Sequence, residues 1–190
     1  MFNYRIHFSR MTGILLIVLV CSILVSAQEQ PGKEQISAMR KLNFLTGNWK
    51  GSGWIFLRNG QRSEFNEKEN IKWKLDSLLL VIEGLGTNNN SNGGETRTVH
   101  NAYAIVYYNN QTGNYHWQSF ISSGQSMLSN ASLINDSTLV WQMDISPQMK
   151  IRYTIAVSGG KIWNEIGEMS NNGKDWNKFF GMNLTRADTK

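Results

Sequence analysis

The chain has 190 residues, 41% of them hydrophobic and 11% aromatic, and a formal charge of +5. That length suits one domain with a single core, preceded by a short leader. Its basic residues are interleaved with acids, as in Asn66-Glu67-Lys68-Glu69-Asn70, which argues against a nucleic-acid surface with its clustered stripe of charge.

Arg5 and Arg10 give a basic start with no acid, and an apolar run follows from Ile14 to about Val25. Val25-Ser26-Ala27 then supplies small residues before Gln28, the pattern of a signal-peptide cleavage site. The run falls short of the roughly 20 apolar residues of a membrane span, so the expectation is export and no stable span after the leader is removed. Cys21 is the sole cysteine; Val20 before it, where a small residue would be expected, argues against a lipid anchor there. Cleavage after Ala27 leaves a mature chain without a thiol, hence without disulfides or thiolate metal ligands. The expected layout is a signal peptide over 1–27, a short helical segment over 28–46 and a β-domain over 47–187, in a secreted or periplasmic protein.

Pro31 to Leu45 reads as the one helix, with Ile36, Met39 and Phe44 near helical spacing and Gly47 closing it. It is short enough to lie across a barrel mouth. From Gly47 onward the chain alternates and turns. Trp49 to Leu57 predicts a strand, Arg58-Asn59-Gly60-Gln61 a hairpin turn, and Ser63 to Leu75 a long strand with Phe65, Ile71, Trp73 and Leu75 on one face. Leu78 to Leu85 is apolar apart from Glu83, and Gly86 to Thr98 predicts the longest loop. Val99–Tyr108, Asn114–Ile121, Gln125–Ile134, Thr138–Ile145, Met149–Val157, Lys161–Met169 and Trp176–Arg186 complete the series. Ten sequential strands with turns about every ten residues predict an all-β fold: an antiparallel up-and-down barrel, whose closure removes both open edges.

The stretch Gly47-Asn48-Trp49-Lys50-Gly51-Ser52-Gly53 resembles the G-x-W-x-G-x-G opening of nitrobindin-like proteins, within the calycin group of lipocalin-like barrels. The order of the central hairpin Tyr108–Tyr115, the Asn172-Gly173-Lys174-Asp175-Trp176 turn and the terminal Leu184-Thr185-Arg186 resembles a secreted bacterial family with a lipocalin-like barrel. The resemblance spans Leu42 to Arg186. It implies that Trp49 plugs one barrel end and that Arg186, from the last strand, covers its indole. Nitrobindin-like proteins bind haem through a histidine in the C-terminal part of the barrel, but Lys161–Met169 and Trp176–Arg186 contain none, so no haem or other cofactor is expected.

Strict alternation aims Glu67 and Glu69 inward with Phe65, Ile71 and Trp73, making two carboxylates candidate ligand contacts or acid–base groups. A bulge near Asn66 or Asn70, or a place at the wet mouth, would instead leave both solvated. His116, Gln118 and Phe120 share one face of their strand and Tyr115, Trp117, Ser119 and Ile121 the other; if the first set faces inward, an imidazole and an amide orient a ligand. His116 with Glu67 and Glu69 has metal-like ligand types but no metal-binding spacing, so no metal is expected. Seven tryptophans suit the walls of a small-ligand cavity, or simply fill a barrel of short strands. The function this supports is binding of a small, mostly apolar ligand in the interior, with Glu67, Glu69, Trp73, His116, Gln118 and Phe120 as contacts. The alternatives are an enzyme using Glu67 or His116 as general base, and a non-catalytic module that meets another envelope protein through the 86–98 loop or an outer apolar patch.

Overall fold

A computed structural model describes residues 32–89 and 96–187 of the chain. The expected signal peptide and its cleavage site lie outside the described residues. The described part opens with a helix, α1 (Lys33–Arg40), running into a 3-10 turn (Lys41–Leu45). The helix is shorter than the Pro31–Leu45 expected, because the chain tightens at Lys41 to bring Leu42 and Leu45 into the core. Among the described residues no helix is long and apolar enough to cross a membrane.

Ten strands follow: β1 (Gly47–Phe56), β2 (Arg62–Lys74), β3 (Leu79–Asn89), β4 (Thr96–Asn109), β5 (Asn114–Ile121), β6 (Ser126–Asn135), β7 (Thr138–Asp144), β8 (Lys150–Ser158), β9 (Ile162–Ser170) and β10 (Asn177–Ala187). Each is antiparallel to its sequence neighbour, and β1 pairs with β10, so the sheet closes. Of the long loop expected over 86–98, residues 86–89 and 96–98 are strand, and 90–95 lie outside the described residues. Pairing of β3 with β4 continues past a bulge at Gly86/Thr87 through Thr87↔Thr98 to Asn89↔Thr96. The Asn, Gly and Thr content that suggests a loop is tolerated there because the hairpin's far end carries no core.

Inward positions follow the two-residue period of each strand. Leu80 and Ile82 of β3, Ala104 and Val106 of β4, Tyr115 and Trp117 of β5, and Trp163 of β9 are buried in this way. At one end, Met39, Leu42 and Leu45 lie over the interior, fully buried against Trp49 and Trp163. Tyr115 donates to the Ala38 carbonyl (2.6 Å), and Trp49 Nε1 donates to the Leu45 carbonyl (2.8 Å), fixing the cap to the wall. Trp49 and Trp163 meet edge to face, 5.5 Å between centroids. The Arg186 guanidinium stacks on Trp49 and donates to the carbonyls of Thr46 and Phe44. Gly47 has φ +115, and a side chain there would strike the guanidinium, so glycine both enters the strand and leaves room for Arg186.

Candidate functional site

Above the Trp49 plug the interior turns acidic. Glu67 and Glu69 of β2 pair with Gly51 and Trp49 of β1, and with Gly86 and Gly84 of β3. Neither ladder shows a register shift at these residues, so the alternation stays intact and both side chains point inward. The glycines opposite them make the room. A Cβ on Gly86 would lie 2.6 Å from Glu67 Oε2 and 2.8 Å from the His100 Cβ, and one on Gly84 would lie 2.9 Å from Glu69 Oε1. Glu165, the inward residue of β9 two positions beyond Trp163, is a third carboxylate that sequence reasoning missed. The signal was present: Trp163, Glu165 and Gly167 alternate as Glu67 does with Phe65.

Glu67 is 2% exposed and Glu165 8%. Glu69 is half-buried and sits beside the plug in register. Glu67 Oε1 and Glu69 Oε2 are buried and unbonded, while Glu165 Oε2 accepts a hydrogen bond from Trp163 Nε1 at 3.2 Å. The ion pairs of the described residues, Arg62–Glu64, Lys150–Asp144 and Arg152–Glu168, leave all three interior glutamates without a cation.

Desolvation without compensation favours the protonated form. Burial, with the charge of Glu165 added, pushes Glu67 up to about 8. Burial pushes Glu165 up to about 7, against the opposing hydrogen bond from Trp163. Burial, then the charges of Glu67 and Glu165, hold Glu69 well above the usual carboxylate range. Other titratable side chains on inward faces among the described residues include His100, Tyr108 and, at the far end of its strand, Arg97 of β4, Tyr115 of β5 and Tyr153 of β8, with Arg186 of β10 at the plug.

An aromatic belt lines the interior on the mouth side of these acids. Trp117 stacks on Trp141 (5.0 Å, 5°) and Trp141 on Tyr153 (4.2 Å, 11°). Tyr153 meets Phe180 edge-on at 5.6 Å, and Phe180 lies 5.9 Å from Phe65. Small residues on the strands between them, Ser129 and Gly167, let rings from alternate strands touch; a Cβ on Gly167 would be 2.8 Å from the Tyr153 ring. Ser129 Oγ and Trp141 Nε1 are buried without hydrogen-bond partners.

The remaining expected contacts divide. Trp73 is inward but lies at the capped end, its Nε1 donating to Asn43 Oδ1 at 3.3 Å. His116, Gln118 and Phe120 are a correction: β5 buries Tyr115 and Trp117, which turns the alternate set to the outer wall. There His116 stacks on Tyr107 at 5.2 Å. The larger rings take the interior because they fill more of it, and His116 never meets the glutamates. No group of described residues has metal-binding geometry.

Two concave surfaces lie on the outside of the barrel. A crevice of about 340 Å³ lies between α1 and the ends of β4 to β6, lined by Ala38, Lys41, Tyr108 and Leu133. A groove of about 450 Å³ crosses β10, β1, β2 and β3, lined by Lys50, Lys68, Thr87 and Thr185. Glu67 also lines this groove, between Lys50 and Lys68, whereas Glu69 and Glu165 line neither surface.

No family model matches the chain, and no curated protein matches it. Solved structures do. Rv2717c from M. tuberculosis is similar with a TM-score of 0.57 and 12% identity, over 80% of this chain and 98% of that one. The S-type phycobiliprotein lyase CPES from Guillardia theta is similar with a TM-score of 0.56 and 11% identity, over 80% of this chain and 94% of the lyase. At such identities the likeness is one of fold: the chain is a closed ten-stranded antiparallel barrel of lipocalin-like type.

Proposed function

We propose that this is an exported lipocalin-like barrel that binds a small, mostly apolar ligand in its interior. The observation that carries the reading is the trio Glu67, Glu69 and Glu165, turned inward beside a wall of stacked aromatic rings, with Glu67 Oε1 and Glu69 Oε2 buried and unbonded. A buried carboxylate without a partner costs stability, and a barrel that only needed filling would use apolar side chains at those positions. Aromatic walls with a few polar groups set among them are the makeup of small-ligand sites. Glu67 and Glu69, expected as contacts from the sequence, keep that role; Glu165 joins them.

Two measurements test this. The neutral dye N-phenyl-1-naphthylamine should bind the full chain with a rise in fluorescence, and native mass spectrometry of protein from its own host should show a co-purifying small molecule. A dye that stays dark and a protein that carries nothing overturn the reading. Export is tested separately by N-terminal sequencing of the mature protein, which should begin at Gln28.

A second reading rests on Glu67 alone. A carboxyl pushed up to about 8 is poised near neutrality, as a general acid or base must be. Turnover of a bound ligand that is lost in Glu67→Gln, with binding retained, would establish it.

A further inference from the structure

The interior offers three acceptors and no countercharge. Glu67 and Glu165 are both more than nine-tenths buried, and Glu67 Oε1 accepts nothing. Among the described residues no ion pair reaches the three glutamates, and the Arg186 guanidinium is committed to Trp49 and to backbone carbonyls beneath the plug. Like charges brought this close repel, and each raises the cost of ionising the next.

The facing wall is an independent sign. Tyr153 pairs with Gly167 on β9, and Ile155 pairs with Glu165, so Tyr153 and Glu165 are diagonal neighbours on one face. Trp141 lies flat on Tyr153 and Trp117 flat on Trp141. Trp141 is 9% exposed, yet its indole N–H has no acceptor, and the Ser129 hydroxyl next to it on β6 is also unbonded. These two donors are left over in a wall that is otherwise apolar. Aromatic faces carry partial negative charge and attract cations, most strongly where water is excluded. A floor of carboxyl groups, which a cation would ionise, and a negative-faced wall therefore select the same sign of ligand.

Resting on interior binding as proposed above, we infer that the ligand is an organic cation: an amine or quaternary ammonium whose charged end sits among Glu67, Glu69 and Glu165 and whose apolar body lies along the Trp117–Trp141–Tyr153 stack. Trp141 Nε1 and Ser129 Oγ then donate to an acceptor on that body. Binding restores the ionised form of the glutamates, so it releases protons near neutral pH. The groups around the carboxylates are His100 across Gly86, Tyr153 from β8, the Trp163 N–H from β9, and Lys50 of β1 and Lys68 of β2, which share a groove with Glu67.

The test displaces N-phenyl-1-naphthylamine from the full chain with benzyltrimethylammonium, with its uncharged carbon isostere neopentylbenzene, and with phenylacetate. The cation should compete at concentrations at least about tenfold below the isostere, the scale of one desolvated charge pair. Glu67→Gln and Glu165→Gln should each erase that preference, while the outer-wall control Glu168→Gln keeps it. Circular dichroism shows whether each variant has folded. Calorimetry at pH 7.5 in phosphate and Tris should give buffer-dependent heats that report proton release. If neopentylbenzene competes as well as the cation, if phenylacetate competes better, or if no protons are released, the inference is overturned while interior binding stands. If the dye does not bind at all, the reading beneath it falls as well.

Discussion

The Arg186 guanidinium carbon lies 4.1 Å from the centroid of the Trp49 ring, and the two residues are register partners on the last and first strands. The same guanidinium donates to carbonyls of Phe44, Thr46 and Gly160. One side chain thus fastens the 3-10 turn, the entry to β1 and the β8–β9 turn across the barrel seam. Arg186→Ala removes a cation–π contact and several charge-assisted hydrogen bonds, with an expected loss of about 2–4 kcal/mol in urea unfolding. Arg186→Lys should recover less than half, since an ammonium has no planar fork to serve stack and carbonyls together.

Trp49 carries the other half of the seam. Trp49→Ala empties the plug under Leu42 and Leu45 and should cost about 3–5 kcal/mol. Trp49→Phe keeps most of the volume but leaves the Leu45 carbonyl without its indole donor, an expected loss of about 1–3 kcal/mol in the same assay.

Stability should fall as pH rises. In the unfolded chain a glutamate titrates near 4.5, whereas Glu67 is pushed up to about 8 and Glu165 to about 7 in the fold. Between those limits the folded state holds more protons than the unfolded state, so stability declines with pH across the window and levels off above it. Thermal melts of the ligand-free chain should show a lower Tm at pH 9 than at pH 5. Glu67→Gln should raise the Tm at pH 9 by at least about 3 °C. Equal melting of wild type and variant at pH 9 would contradict the burial of this carboxylate without a partner.

Gly86 and Glu67 should be coupled. Gly86→Ala places a methyl group where Glu67 Oε2 and the His100 Cβ now sit, an overpacking expected to cost about 1–3 kcal/mol. In a Glu67→Ala background much of that cost should vanish, because the carboxylate is what the methyl strikes. A double-mutant cycle by urea unfolding reads the coupling directly.

The barrel was legible because its signals are local and repeated. Asn59-Gly60 and Gly159-Gly160 mark turns by backbone need, and Asn114–Ile121 alternates cleanly between them. Where two hydrophobic faces compete, alternation alone gives no direction. In β5, Tyr115 and Trp117 oppose His116, Gln118 and Phe120, and both sets read as apolar enough to be buried; the contacts of Trp117 with Trp141 decide it from another strand. Glu67 and Glu69 were visible because their neighbours are unmistakably core. Glu165 was not, since an acid between Trp163 and Gly167 reads as ordinary strand polarity until the curvature of the sheet brings it round to β2. The 86–98 region misleads for a related reason: pairing across a hairpin tolerates residues that composition assigns to loops.

Each described strand has a neighbour on both flanks along the closed wall, and backbone is left with a strand on one side only where a strand overhangs, as at Arg97–His100 of β4, beyond the Ala102↔Ile121 end of its pairing with β5. Along the closed wall, then, a partner finds no place in the sheet and a fibre no rim to grow from; only an overhang such as this one could lend either. Elsewhere on the barrel, recognition falls to side chains.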